Sequence, residues 1–268
     1  MNLKDFAAAH ESKLAERVEN TKILTLDIET SPTVVYTFGM TPNWISPDKI
    51  IEPSHIMCFA AKWYNTDEVE YYSDHESGHS KMLERAWHLL DEADILVTFN
   101  GVRFDVKHLK RELVLAGYPM PRPWKNVDLY REAKKQWEFE SKGLAHLAER
   151  FELGSKQAHE GFGLWKSCLE GDKDAWERMK SYNIQDVVLT EAVYDRMRGW
   201  MPNHPHMGPI DADDVGLICN QCGAADDLEP VGTRRAIVID YRLYRCRRCG
   251  ANVQGMMHSR AARTKGAQ

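Results

Sequence analysis

Asp27 and Glu29 close a strand-like run, Ile23-Leu24-Thr25-Leu26-Asp27-Ile28-Glu29-Thr30. Side chains two apart on a strand share a face, so the two carboxylates point the same way. Side by side against a sheet they repel and lose hydration unless a cation sits between them. A divalent metal is the simplest such cation. Two later acidic motifs fit the same site. Asp105 ends Phe99-Asn100-Gly101-Val102-Arg103-Phe104-Asp105, just after an apolar run. Alone, it reads first as a carboxylate favoured by the dipole of the helix it opens. Asp186 lies in Tyr182-Asn183-Ile184-Gln185-Asp186, where the phenol and the acid are four apart on one helix face. Alone, that is an ordinary hydrogen-bonding pair.

A softer donor set follows. Cys219-Asn220-Gln221-Cys222-Gly223 and Cys246-Arg247-Arg248-Cys249-Gly250 are CxxC pairs separated by 23 residues. Each is followed by a glycine that lets the chain turn tightly and aim amides at sulfur. Two such knuckles resemble a zinc ribbon, Cys219, Cys222, Cys246 and Cys249 holding one Zn2+. Two disulfides, redox motifs or an iron–sulfur centre are the alternatives. Cys58 and Cys168 lack this spacing and read as apolar fillers.

The elements that must position these groups are legible as hydrophobic periods. After a short polar helix at 6–20 and the first strand, strands are expected at 56–64, 69–72, 95–99 and 126–129. Met82, Leu83, Ala86, Leu89 and Leu90 recur at helical spacing across 80–91. A second helix runs from about Phe104 to Ala116 and stops at Gly117. The remainder to Arg198 is mostly helical, and Ala236 to Tyr244 reads as a strand. Strands joined by short turns and then alternating with helices indicate an α/β fold with a mixed sheet.

At 268 residues, 43% hydrophobic and 28% charged, the chain has room for one sizeable domain and a small one. No apolar run approaches the roughly 20 residues of a membrane span, and the amino terminus lacks a secretory apolar core. A cytoplasmic location with no membrane partner is the expectation. The net charge of −5 is uneven. From Asp211 onward nine Lys/Arg meet seven Asp/Glu, which leaves 26 and 33 for residues 1–210. An acidic body thus carries a basic end piece, in which Arg234, Arg235, Arg242, Arg245, Arg247 and Arg248 suggest a face for phosphates.

Taken together, Asp27, Glu29, Asp105 and Asp186 resemble, in order and element type, the DEDD superfamily of 3′–5′ exonucleases. The resemblance spans roughly residues 20–198. Asn100, Phe104 and Asp105 match its second motif, and Tyr182 with Asp186 matches the tyrosine (DEDDy) form of its third. It implies a ribonuclease H-like fold: a mixed five-stranded sheet flanked by helices. It also implies a stand-alone, proofreading-like enzyme of bacterial or phage type that releases nucleoside 5′-monophosphates. Two Mg2+ or Mn2+ ions about 3.5–4 Å apart would activate water and neutralise the phosphodiester. In that scheme Asp27 bridges the ions, Glu29 and Asp186 hold the one that binds the attacking water, Asp105 anchors the second, and Tyr182 orients the water. Thr30, Ser31, Asn100 and Phe104 would contact the terminal nucleotide.

The expected partners are single-stranded nucleic acid or 3′ ends, with DNA favoured over RNA, and replication or repair proteins. An RNA-trimming exoribonuclease and a non-catalytic binding or docking protein are the alternatives. The expected layout is an exonuclease domain at 1–198, a linker at 199–214, a zinc ribbon at 215–258 and a flexible tail at 259–268. Phe38, Trp44, Phe162 and Trp165 lie in or near loops and read as core before they read as stacking platforms. Asp128 reads as structural.

Overall fold

The computed structural model describes residues 21–40, 44–154, 161–205, 218–224, 227–235 and 240–256. The expected helix at 6–20, the far part of the linker and the tail lie outside these residues. The chain divides into two compact units, Lys22–Tyr194 and a second that contains the described residues from Asp195 onward.

In chain order the elements are β1 (Ile23–Thr30), β2 (Val34–Val35), β3 (Ile50–Glu52), β4 (Ile56–Trp63), β5 (Val69–Ser73), α1 (His79–Glu92), β6 (Ile95–Thr98), α2 (Asp105–Leu115) and β7 (Lys125–Asp128). Helices α3 (Leu129–Gln136), α4 (Leu144–Arg150), α5 (Phe162–Leu169) and α6 (Lys173–Met197) follow. The second unit holds β8 (Leu228–Arg235), β9 (Asp240–Cys246) and β10 (Asn252–Met256).

Five strands form one sheet in the order β5-β4-β1-β6-β7. β4 runs antiparallel to β1 and to β5, whereas β1, β6 and β7 are mutually parallel. This is the mixed sheet of a ribonuclease H-like fold. β1 sits at its centre because Leu24, Leu26 and Ile28 alternate onto one face, where they pack with Leu83, Leu90 and Leu109 of α1 and α2. Each fully buried side chain of this kind contributes about 1.5–3 kcal/mol. The opposite face is covered differently. Met57 and Cys58 of β4 meet Leu164 and Cys168 of α5 and Trp176, Met179 and Tyr182 of α6. The alternation that buries Leu26 and Ile28 on one side turns Asp27 and Glu29 to the other.

Strand and helix bounds follow the periodic expectations closely. The missed elements are β2 and β3, which pair as a small hairpin between β1 and β4, and β8 and β10 on either side of β9. The strand expected at 236–244 begins at Asp240 and is the partner of β8, with register Arg235↔Asp240.

In the second unit β9 is central, antiparallel to both β8 and β10. The first residues of the expected linker pack onto this unit. Gly199 lies so close to the Cys249 carbonyl that any Cβ would overlap it, and Gln221 Nε2 donates to the Met201 carbonyl at 2.9 Å.

Candidate active site

β1 pairs with β6 only over Ile23–Thr25, so Asp27 and Glu29 project beyond the carboxyl end of the neighbouring parallel strand. Crevices at that end are where open α/β sheets bind ligands. A register shift follows immediately, with Glu29 opposite Cys58 and Thr30 opposite Ile56. Bulges of this kind re-aim side chains beside functional sites. α6 brings Asp186 to the same place. One carboxylate oxygen from each of Asp27, Glu29 and Asp186 lies within 4.8 Å of the others, so the three could hold a metal ion. Their chemistry suits a hard divalent cation, which prefers carboxylate oxygens and retained waters.

Asp105 lies outside that group. It is buried at the first position of α2, and its Oδ1 accepts the Ile28 N–H at 3.0 Å. It therefore grips the backbone between Asp27 and Glu29. Burial pushes its carboxyl up to about 7, against the opposing pull of the Ile28 and Asp105 amides and with a smaller upward push from Asp128. Asp128 is structural. Its Oδ1 accepts the Asn100 and Arg131 N–H groups at 3.0 and 3.2 Å, and its Oδ2 accepts Val102 N–H at 3.2 Å. One carboxylate thus caps α3 and holds the loop that leads to Asp105. That loop turns through Asn100 at φ 65° and Gly101, where a Cβ would collide with Thr98.

Tyr182 is largely buried, one helical turn before Asp186, and its ring meets Trp165 edge-on at 6.2 Å. Trp165 is thereby a supporting ring. The neighbour that motif reading passed over is Asn183. It is fully buried, and its Nδ2 donates to Asp27 Oδ2 at 2.7 Å and to the Asp27 carbonyl at 3.2 Å. Its signal was available, since on α6 it lies three residues before Asp186.

The expected nucleotide contacts are placed as follows. Ser31 is buried, and its Oγ shares a hydrogen bond with His55 Nδ1 at 2.9 Å while accepting His55 N–H at 2.9 Å. His55 Nε2 reaches Asp74 at 3.1 Å, Asp74 reaches His79 Nδ1 at 2.8 Å, and His79 Nε2 reaches Glu112 at 3.3 Å. Asp74 holds His55 above the ordinary histidine pKa, against the opposing effect of burial. No local sequence pattern announces this chain of contacts, whose members come from five separate segments. Thr30 is half-buried at the end of β1. Asn100 is fixed through its backbone by Asp128. Phe104 is partly exposed, its ring 4.6 Å from that of His108.

The cysteines form the second candidate metal centre. All four sulfurs lie within 4.8 Å of one another, with Cys219–Cys249 and Cys222–Cys246 at 3.6 Å. Zn–S bonds of about 2.3 Å in a tetrahedron imply sulfur separations near 3.8 Å, so the thiols fit zinc; none is in a disulfide. The two knuckles share one geometry. Gly223 N–H donates to Cys219 O and Cys219 N–H to Ala224 O; Gly250 N–H donates to Cys246 O and Cys246 N–H to Ala251 O. Both glycines sit at φ 74°, a conformation that disfavours other residues. Hydrogen bonds from Cys222 and Cys249 push the Cys219 thiol down. The arginines do not gather on one face. Arg242 and Arg245 are three apart on β9 and so point to opposite sides, and Arg247 pairs with Glu229 at 3.2 Å.

Among the described residues no helix is long and apolar enough to cross a membrane. No curated protein sequence matches the chain. Among solved structures, the family B DNA polymerase from the hyperthermophilic archaeon Pyrobaculum calidifontis is similar, with a TM-score of 0.52 and 17% identity. The likeness covers 68% of this chain but 25% of that one, and it is a likeness of fold. The family model described as the RNase_H superfamily matches residues 51–198, more than half the chain, beginning after β1 and including Asp105, Tyr182 and Asp186. The sheet order, the helices on its two faces and this match agree: the chain belongs to the RNase_H superfamily.

Proposed function

We propose that this protein is a divalent-metal-dependent nuclease of the tyrosine-type DEDD class that removes nucleotides from 3′ ends, with DNA as the favoured substrate. One observation carries the reading. Asp27, Glu29 and Asp186, remote in sequence, meet within 4.8 Å at the carboxyl end of the parallel strands. Like charges so close in a partly buried site repel, and a bound divalent cation relieves that repulsion while suiting their oxygen donors. Asp27, Glu29 and Asp186 would hold Mg2+ or Mn2+, with Asp105 bracing the strand between the first two from its place behind them. Ions bound there supply charge neutralisation for the phosphodiester and acidify a water.

The chain's own groups do the rest. Asn183 fixes the orientation of Asp27. Tyr182, wedged against Trp165 and one helical turn before Asp186, would orient the attacking water by its hydroxyl. DNA is favoured because the similar solved structure is a DNA polymerase. The second unit would bind one Zn2+ as a structural ion.

The test is Mg2+-dependent digestion of DNA and RNA oligomers labelled at either end and blocked at the 3′ or 5′ terminus. The expected result is stepwise shortening from an open 3′ end with release of mononucleotides, abolished in Asp27→Ala. An Asp27→Ala protein that digests as fast as the parent overturns the assignment. Shortening from the 5′ end overturns the polarity.

A further inference from the structure

The segment that leaves β1 carries an apolar surface which the fold does not use. Between Ser31 and His55 the chain forms the β2–β3 hairpin, closed at its base by Ser31 N–H donating to His55 O at 2.8 Å and extended by Tyr36 N–H donating to Lys49 O at 3.1 Å. Tyr36 is 74% exposed, Phe38 106%, Met40 101% and Trp44 73%. Phe38 and Trp44, expected in the core, are thus on the surface. Large apolar side chains grouped in the open mark an interaction site more often than chance.

Four observations favour a single nucleic-acid strand as the occupant. First, the hairpin springs from the same strand as Asp27 and Glu29, one residue beyond the bulge. At about 3.3 Å per residue, Phe38 lies within roughly 26 Å of the strand end, a span of roughly eight stacked nucleotides at about 3.4 Å each. Second, the exposed side chains include flat rings, with Thr37 and Gly39 between them, and sequence-tolerant strand binding relies on base–ring stacking. Third, from Thr30 to Pro47 no residue is charged, in a chain with 40 acidic residues. The hairpin's carboxylates, Asp48 and Glu52, are confined to its returning side, with Glu52 opposite Val34. Fourth, Lys49 Nζ sits 5.9 Å from the Phe38 ring centroid, a cation beside a ring. In the second unit Arg242 and Arg245 point to opposite sides of β9 and so do not form one basic face.

We infer that the β2–β3 hairpin is a stacking platform that grips the single strand upstream of its 3′ terminus, with Tyr36, Phe38 and Trp44 as the base-stacking rings. The inference rests on the nuclease reading but concerns a surface separate from the carboxylates. It makes substrate length the variable. A dinucleotide fills the site without reaching the hairpin, whereas a 20-mer reaches it.

The experiment compares the parent with a Tyr36→Ala/Phe38→Ala/Trp44→Ala protein on a dinucleotide and on dT20. It also measures anisotropy of fluorescein-labelled dT20 in EDTA, which reads binding without turnover. The expected result is unchanged dinucleotide hydrolysis, KM for dT20 raised about 10-fold or more with kcat retained, and a matching loss of dT20 binding. A Phe38→Trp protein keeps the parent's values. Equal KM and equal dT20 binding in parent and triple variant overturn the inference. So does equal loss on both substrates, which marks the hairpin as structural. A shift of oligomeric state on size exclusion with dT20 binding unchanged assigns the rings to a second copy and also overturns it. A parent inactive on both substrates refutes the nuclease reading instead, and the anisotropy still decides whether the hairpin binds a strand.

Discussion

Asn183→Ala is the most informative single change outside the carboxylates. The Asn183 amide is fully buried and donates at 2.7 Å to one oxygen of Asp27. A hydrogen bond to a charged group is worth about 1.5–3 kcal/mol net. At about 1.36 kcal/mol per tenfold, that is roughly 10- to 150-fold. Partners that orient a metal ligand show the same scale, about 10- to 100-fold in affinity or activity when removed. The expected outcome for Asn183→Ala is therefore a 10- to 100-fold weaker Mn2+ affinity, turnover reduced by a similar factor, or the loss shared between them. Asn183→Asp is worse, because it sets a further carboxylate against Asp27. Calorimetric titration of Mn2+ into parent and variant, with turnover on an end-labelled oligomer and a thermal melt as a folding control, measures each quantity. A folded Asn183→Ala protein within twofold of the parent in both would show that Asp27 needs no such anchor.

Three further outcomes are expected. Cys222→Ser leaves three thiolates and abolishes stoichiometric zinc by elemental analysis, while the melting transition of the Lys22–Tyr194 unit, which has its own core, persists. Retention of one zinc per chain would remove the four-cysteine site. Asp128→Ala strips acceptors from three backbone N–H groups. At about 1–3 kcal/mol for each buried donor left unmet, it should lower unfolding free energy in urea by about 3 kcal/mol or more, and Asp128→Asn by less.

His55→Gln tests pH linkage, with Asp74, His79 and Glu112 as the charged or titratable groups facing the ring. Because the folded-state pKa lies above the ordinary value of about 6.5, the stabilisation is complete below that pH and is lost as pH rises through the folded pKa. Parent stability in urea should thus fall from pH 6 upward with a component that His55→Gln lacks. Parallel slopes would refute it.

Much of the sheet and its helices was legible because their apolar residues repeat at the periods their burial demands. Met82, Leu83, Ala86, Leu89 and Leu90 are buried as that rhythm requires. Asp27 and Glu29 were legible for the opposite reason: carboxylates in an apolar strand have no inexpensive explanation but a cation. What escaped lacks a local signal. β2 and β3 contain two and three residues and bury no side chain fully, so no alternation marks them, and their rings looked like core because aromatic residues usually are. Asp105 was grouped with the other acids by its motif, whereas its hydrogen bond with the Ile28 backbone, which depends on β1 and α2 meeting, was not legible. The single arginine face failed because sequence proximity ignores strand alternation, which separates Arg242 from Arg245. Asn183 was visible but silent, since an amide on a helix gives no hint of the carboxylate 156 residues earlier that it will meet.

That long separation has a consequence for the order of assembly. Neither the amide that steadies Asp27 nor the third acid of its cluster is in place until residues 183–186 have folded onto the sheet. The acidic cluster is therefore a late feature of folding, formed only once α6 has docked.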